Sequence, residues 1–195
     1  MSLFDQKKHL LVLFCSPNPH GSTRMLLDSF MDEFKDQGDW KTTEVNAYEL
    51  NAHPCTGCKA CAKKEKCTYD DLDKLDKELR RCDLLVVASP VYNDSFPSPM
   101  KAILDRCQRY FEARFSLNIR QPIKKHRDAV LLLTMGREED FPLEVTVHQL
   151  RRAFSVMNTT LRGCAVWDGT DLGRRNLGPA QQKARALALE ILGEP

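Results

Sequence analysis

Four of the eight cysteines fall within thirteen residues, at Cys55, Cys58, Cys61 and Cys67. The spacing is C-x2-C-x2-C-x5-C. Thiols repeating every third residue on a tight loop, with a fourth shortly after, can surround a metal centre. Soft thiolates select an iron–sulfur cluster or zinc. Zinc sites of the CxxC type usually pair two spaced knuckles, which this block lacks. A cysteine-rich loop without metal is the third reading. Lys63, Lys64 and Lys66 could lower the thiol pKa values, or form a solvated face. His53, beside Cys55, is a further candidate ligand. Cys15, Cys82, Cys107 and Cys164 sit in or beside apolar segments, where buried inert thiols are expected.

A second group of residues suits an anion. The stretch Ser16-Pro17-Asn18-Pro19-His20-Gly21-Ser22-Thr23 runs straight into an amphipathic helix. A phosphate needs backbone N–H donors at the positive end of a helix plus short hydroxyl side chains, and Ser16, Gly21, Ser22 and Thr23 offer both. A simple turn with Ser22 as N-cap is the alternative. Neither G-x-x-x-x-G-K-[ST] nor G-x-G-x-x-G occurs here, so a nucleotide P-loop and a Rossmann fingerprint are both absent. A third stretch, Ala88-Ser89-Pro90-Val91-Tyr92-Asn93-Asp94-Ser95-Phe96-Pro97, offers small polar groups and one aromatic. It could line a flat ring, or be a proline-rich turn between strand and helix. His20, His126 and His148 have no partner visible in the sequence. There is no serine–histidine–acid order, no HExxH and no paired carboxylates in a recognisable setting.

These blocks together carry a resemblance. Ser16-Pro17 with Gly21-Ser22-Thr23, then Pro54-Cys55-Thr56-Gly57-Cys58, then Ser89-Pro90-Val91-Tyr92 followed by Lys101 and Asp105-Arg106, resemble the NAD(P)H-dependent FMN reductase family. Within it they resemble the branch that includes iron–sulfur flavoproteins. The match spans most of the chain. It implies a flavodoxin-like fold and FMN, with the phosphate in the loop of Ser16, Asn18, Gly21, Ser22 and Thr23. The ring would lie against Pro90, Val91, Tyr92, Asn93 and Ser95, and its pyrimidine edge near Thr134 and Gly136. NADH or NADPH would be the electron donor and a flavin, quinone or similar molecule the acceptor, with no side chain acting as obligatory acid or base. The resemblance also implies a homodimer or homotetramer. The cysteine block resembles the iron–sulfur flavoprotein pattern for a [4Fe–4S] cluster, a pattern shared by relatives without one. A rival role is an electron carrier to a redox protein partner. Flavodoxin-type shuttles are strongly acidic by resemblance, whereas this chain has net charge +2, which favours the enzyme.

Those loops need elements to position them. Apolar runs at 9–16, 84–89, 129–134 and 161–167, with a weaker one at 43–50, are short and bounded by turn residues, as buried parallel strands should be. Helical stripes lie between them: Leu26, Leu27, Phe30, Met31 and Phe34; Leu72, Leu75 and Leu79; Met100 through Phe115; Leu143 through Met157; Ala184 through Leu192. Thr68 with Asp71 has a capping-box pattern, Glu138-Glu139-Asp140 reads as a helix start, and Gly38 and Gly193 read as helix stops. Strand and helix alternate five times. That pattern requires a parallel sheet with helices on both faces, and five strands suit a doubly wound sheet of order 2-1-3-4-5. Ligands in such sheets sit beyond the carboxyl ends of the strands, which singles out the loops 16–23, 89–97 and 134–140.

Composition sets the outer bounds. A chain of 195 residues is expected to form one domain, here 1–195 with a cysteine-rich loop at 53–68, burying roughly 70% of its extended-chain surface. With 42% hydrophobic and 29% charged residues it is neither disordered nor fibrous. The longest apolar run, Leu10 to Cys15, is far below the roughly 20 residues of a membrane span. Lys7 and Lys8 precede it, but it breaks into Ser16-Pro17-Asn18-Pro19 rather than a leader cleavage site, and Met1-Ser2-Leu3 reads as a cloning remnant. The expectation is a cytoplasmic protein without a nucleic-acid partner, since the pI near 8.1 gives no strong field.

Overall fold

Three strands form the centre of the sheet: β1 (Lys8–Phe14), β3 (Leu84–Pro90) and β4 (Arg127–Thr134). Each is buried at all but one position, because helices cover both faces and leave no polar side to face water. The edges are β2 (Trp40–Asn46), with no fully buried residue, and β5 (Thr159–Trp167), buried only at Ala165 and Trp167. All pairings are parallel, in the order β2-β1-β3-β4-β5. The expected flavodoxin-like sheet is therefore present. A computed structural model describes residues 7–173 and 176–193; the Met1-Ser2-Leu3 start lies outside them.

Alternation along β1 divides the core. Leu11, Leu13 and Cys15 face one layer, built from α2 (Asp73–Arg81), α3 (Ser98–Arg106), α4 (Gln108–Phe115) and α5 (Phe141–Phe154). Leu10, Val12 and Phe14 face the other, built from α1 (Ser22–Met31) and α6 (Leu177–Gly193). Among the described residues no helix is long and apolar enough to cross a membrane.

Several expectations need correction. The edge strand β2 begins at Trp40 rather than Thr43, and Ala47–Glu49 is a 3-10 turn in which Asn46 Oδ1 accepts from the Tyr48 N–H. An edge strand carries little burial signal, so its periodicity misplaces it. The stripe from Met100 to Phe115 is two helices. At Cys107 the backbone tightens (φ −64°, ψ −9°), with its N–H shared between the Ile103 and Leu104 carbonyls. The break turns Tyr110 and Ala113 inward and leaves Phe111 and Phe115 exposed. The capping box is absent: α2 starts at Asp73, while Thr68 and Asp71 serve the cysteine loop instead. Gly38 lies in the turn before β2, after a 3-10 turn at Asp32–Phe34 has already ended α1. The acidic run leads into α5 rather than forming its first turn, with Asp140 at the N-cap.

Candidate functional site

The carboxyl ends of the strands gather the expected residues on one edge of the sheet. β1 ends at Phe14, and the chain turns through an Asx-type turn in which the Asn18 N–H donates to Ser16 Oγ (3.2 Å) and Asn18 Oδ1 accepts from the His20 N–H (3.0 Å). Gly21 then occupies the N-cap of α1 in extended conformation, with no side chain capping the helix. The first N–H groups of an α-helix have no partner within it, so those of Ser22 and Thr23 are left for an anion at the positive end of the dipole. Gly21 lies close under Asn18: a Cβ there would stand 2.9 Å from Asn18 Nδ2 and would displace that exposed side chain. Ser22 is the first helical residue rather than the cap.

The three predicted loops are bonded to one another. Thr23 Oγ1 lies 2.8 Å from Thr134 Oγ1, and both residues are buried. The Val91 N–H donates to the Thr134 carbonyl at 2.8 Å. Beyond it, Tyr92 and Ser95 pair across a two-residue turn in which Asn93 and Asp94 both have positive φ (48° and 58°). This is the primed hairpin geometry, adopted because Asn and Asp tolerate the left-handed region. Tyr92 stays half-exposed at the tip. The Tyr48 phenol is pushed up by burial and by its neighbours Tyr92 and Cys15, so the 3-10 turn after β2 contributes to the same edge.

Two residues of this edge have no sequence signature. Gln149 of α5 donates to Ser95 Oγ at 3.1 Å and holds the hairpin. Asp171, in the 3-10 turn Thr170–Leu172 after β5, lies over Gly136: a Cβ on that glycine would run into its carboxylate. Gly136 thus admits a side chain's close approach. Only the spacing of Asp171 after the last strand could have pointed to it.

The cysteine block forms its own pocket. Cys55, Cys58, Cys61 and Cys67 all line one cavity of about 360 Å³, together with Thr68, Tyr69, Arg106, Arg109 and Glu112. Among the described residues no three His, Cys, Asp or Glu side chains are drawn together as holders of a single metal ion. Four cysteine thiols lining one cavity are the kind of donor set that a thiolate-held iron–sulfur core would need. The Cys58 thiol is lowered by its bond to Thr68 Oγ1 (3.4 Å) and by backbone N–H groups, and burial raises Cys61. Thr68, not Lys63, Lys64 or Lys66, is the neighbour that acts; Lys66 faces Asp73 instead. His53 is not a ligand here, because its Nδ1 meets Asp71 Oδ2 at 2.9 Å and its ring stacks on Tyr69 at 4.6 Å. Cys15, Cys82 and Cys107 are buried as expected, and burial pushes Cys107 up to about 12. Cys164 is half-buried. His126 bonds Thr160 far from both sites.

The family model described as NADPH-dependent FMN reductase matches residues 9–170. The chain belongs to that family. It is similar to an iron–sulfur flavoprotein of Methanocaldococcus jannaschii, 24% identical over 82% of this chain and 80% of that one. It is also similar to an FMN-dependent NADH:quinone oxidoreductase of Photorhabdus laumondii, 28% identical over 66% of this chain and 65% of that one. Among solved structures, an NAD(P)H:quinone oxidoreductase from Methanothermobacter marburgensis superposes with TM-score 0.76 at 15% identity, covering 97% and 98% of the two chains. An FMN-dependent NADH-azoreductase from Bacillus anthracis, solved with FMN, gives 0.66 at 12% identity over 94% and 99%. At those identities the likeness is one of fold. This member of the FMN reductase family is an oxidoreductase by kinship, and its carboxyl edge is the place where such a fold holds its ligand.

Proposed function

We propose that the protein is an FMN-dependent enzyme that takes electrons from NADH or NADPH and hands them to a flavin, quinone or similar small acceptor. The observation that carries this reading is the uncapped start of α1, tied through Thr23 and Thr134 to the loop that folds against β3. The fit to FMN rests on its donor set. Ser16, Ser22 and Thr23 would hold the phosphate, with Asn18 and Gly21 shaping the turn. Pro90, Val91, Tyr92, Asn93 and Ser95 would hold the ring, and Thr134 and Gly136 would border its pyrimidine edge. When bound, FMN supplies the hydride chemistry. The protein's own part is to bind and orient, and no side chain at this edge is required as acid or base.

Ser22→Asp tests the site, because a carboxylate set against a phosphate in a partly desolvated loop costs several kcal/mol. The expected result is FMN affinity reduced on the order of a hundredfold or more by fluorescence titration. Unchanged affinity would move the phosphate elsewhere. FMN-loaded protein mixed anaerobically with NADH or NADPH should bleach in the visible flavin band. If neither donor bleaches it while dithionite does, the electron-carrier role is the better reading.

A second reading is favoured by one specific observation, the convergence of four cysteines on a single cavity beside this fold. An iron–sulfur centre there would let the same flavin pass single electrons to a redox protein partner. Two further proposals accompany the function. The exposed, mutually tilted rings of Phe111 and Phe115 suit a subunit contact in a homodimer or homotetramer of this single FMN-binding domain. Eight free cysteines suit the reducing cytoplasm.

A further inference from the structure

Arginine side chains line the cysteine cavity in an unusual state. Arg106 and Arg109 are nine-tenths or more buried, and both border the cavity between Cys55 and Cys67. Their outer nitrogens are engaged. Arg106 Nη1 donates to the His53 carbonyl (3.0 Å), and Nη2 donates to the Tyr69 carbonyl (3.0 Å) and Asp71 Oδ1 (2.8 Å). Arg109 reaches Asp76 (3.3 Å) and Asp73 (3.9 Å) on α2. The Nε–H of each guanidinium, however, is buried without a hydrogen-bond partner. A buried donor left unpaired is costly, more so when it is charged, so two of them beside one cavity call for an acceptor. Cys67 is among the neighbours of the Arg106 guanidinium and lines the same cavity.

We propose that Arg106 and Arg109 are the charge-compensating and positioning residues of an anionic iron–sulfur centre held by Cys55, Cys58, Cys61 and Cys67, beside which both guanidiniums lie with an Nε–H unpartnered in the chain. This rests on the cluster reading above. Four thiolates outweigh the charge of the inorganic core and leave a net charge of roughly −2, which two guanidiniums offset inside a partly buried cavity. Arg106 has a second duty. By bonding the His53 and Tyr69 carbonyls it fastens both ends of the cysteine loop to α3, so the four thiols are held at one mouth. Glu112, on α4, lines the same cavity near Cys61 with the opposite sign. Hydrogen bonds and charge around a cluster set its reduction potential, so the arrangement predicts directions.

The experiment uses full-length protein reconstituted anaerobically with iron and sulfide, assayed for iron, sulfide and FMN, and titrated for the cluster's midpoint potential. Arg109→Gln should keep the cluster and shift its potential downward by about tenfold in the one-electron equilibrium, about 59 mV. Arg109→Lys should recover much of that shift. Glu112→Gln should move the potential upward, and it reads the same field even if an arginine variant fails to fold. Arg106→Gln should lower iron and sulfide content while FMN is retained. Variants with full clusters and unmoved potentials would overturn the arginine assignment while leaving the cluster standing. Wild-type protein that takes up no iron or sulfide would overturn the cluster reading, and the assignment with it.

Discussion

At the end of β4 a carboxylate and a glycine share one spot. Asp171 donates its backbone N–H to the Gly136 carbonyl (3.2 Å), and Thr170 donates both its N–H and its hydroxyl to the Met135 carbonyl (3.1 Å each). The loop after β5 is thereby held against the loop after β4, beside the proposed pyrimidine edge. Gly136→Ala would place a methyl where the Asp171 carboxylate now lies and force it aside. Because Asp171 is exposed and its carboxylate is the far end of a flexible side chain, the cost is modest, about 1 kcal/mol or less. Urea denaturation should show that loss, and Asp171→Ala added to Gly136→Ala should restore most of it. If the double variant is no more stable than the single one, the conflict lies with something other than this carboxylate.

The cysteine loop shows how an element without regular structure is held in shape. It is fastened by Arg106 of α3 to both of its ends, by Arg80 of α2 to Glu65 (2.6 Å), and by Asp71, in the turn before α2, to His53. Asp71 is the hinge of this set. Burial alone would raise its pKa, but the bonds from Arg106 and His53 outweigh burial and hold it at about 2, below its ordinary 3.8. A carboxyl depressed in the folded state contributes stability that is present above about pH 4 and lost as pH falls through about 2. The contribution is on the order of 1 kcal/mol after solvent screening. Asp71→Asn should therefore be less stable than wild type at pH 6, and the gap should close at pH 2. A gap that stays constant from pH 6 to pH 2 would remove Asp71 from the fastening.

Across the whole molecule, one sheet separates two apolar layers, and β4 is the strand both depend on. Leu131 packs toward α2, α3 and α5, and Leu132 toward α1 and α6, with neither side chain reaching water. Arg127 at the start of β4 is almost wholly buried and donates to the Leu79 and Met157 carbonyls, joining α2 and the turn after α5 to the sheet. Leu132→Ala should cost about 2–5 kcal/mol, read as a lower urea midpoint with unchanged slope. A cost below about 1 kcal/mol would mean that this layer repacks freely. Because Thr134 ends the same strand, the variant should also weaken FMN binding.

The local pattern of residues determined the alternation of strands and helices and hence a parallel sheet, suited the order found, and pointed to the carboxyl edge as the candidate site. A parallel strand covered on both faces has to be an apolar run, and a helix over a sheet has to show an apolar stripe, so burial writes itself into neighbouring residues. The cysteine spacing and the hydroxyls of Ser16, Ser22 and Thr23 were legible for the same reason, since they lie within one loop each. Tertiary structure alone decided where β2 begins, that the stripe after Met100 breaks at Cys107, and that Thr68 and Asp71 serve the cysteine loop instead of a helix cap. It also alone joined Thr23 to Thr134, Gly136 to Asp171 and Arg106 to both ends of the cysteine loop. Each of these partners lies at least 35 residues away. A contact across that span leaves no period or spacing in the chain, and it exists only once the sheet has brought the two loops together.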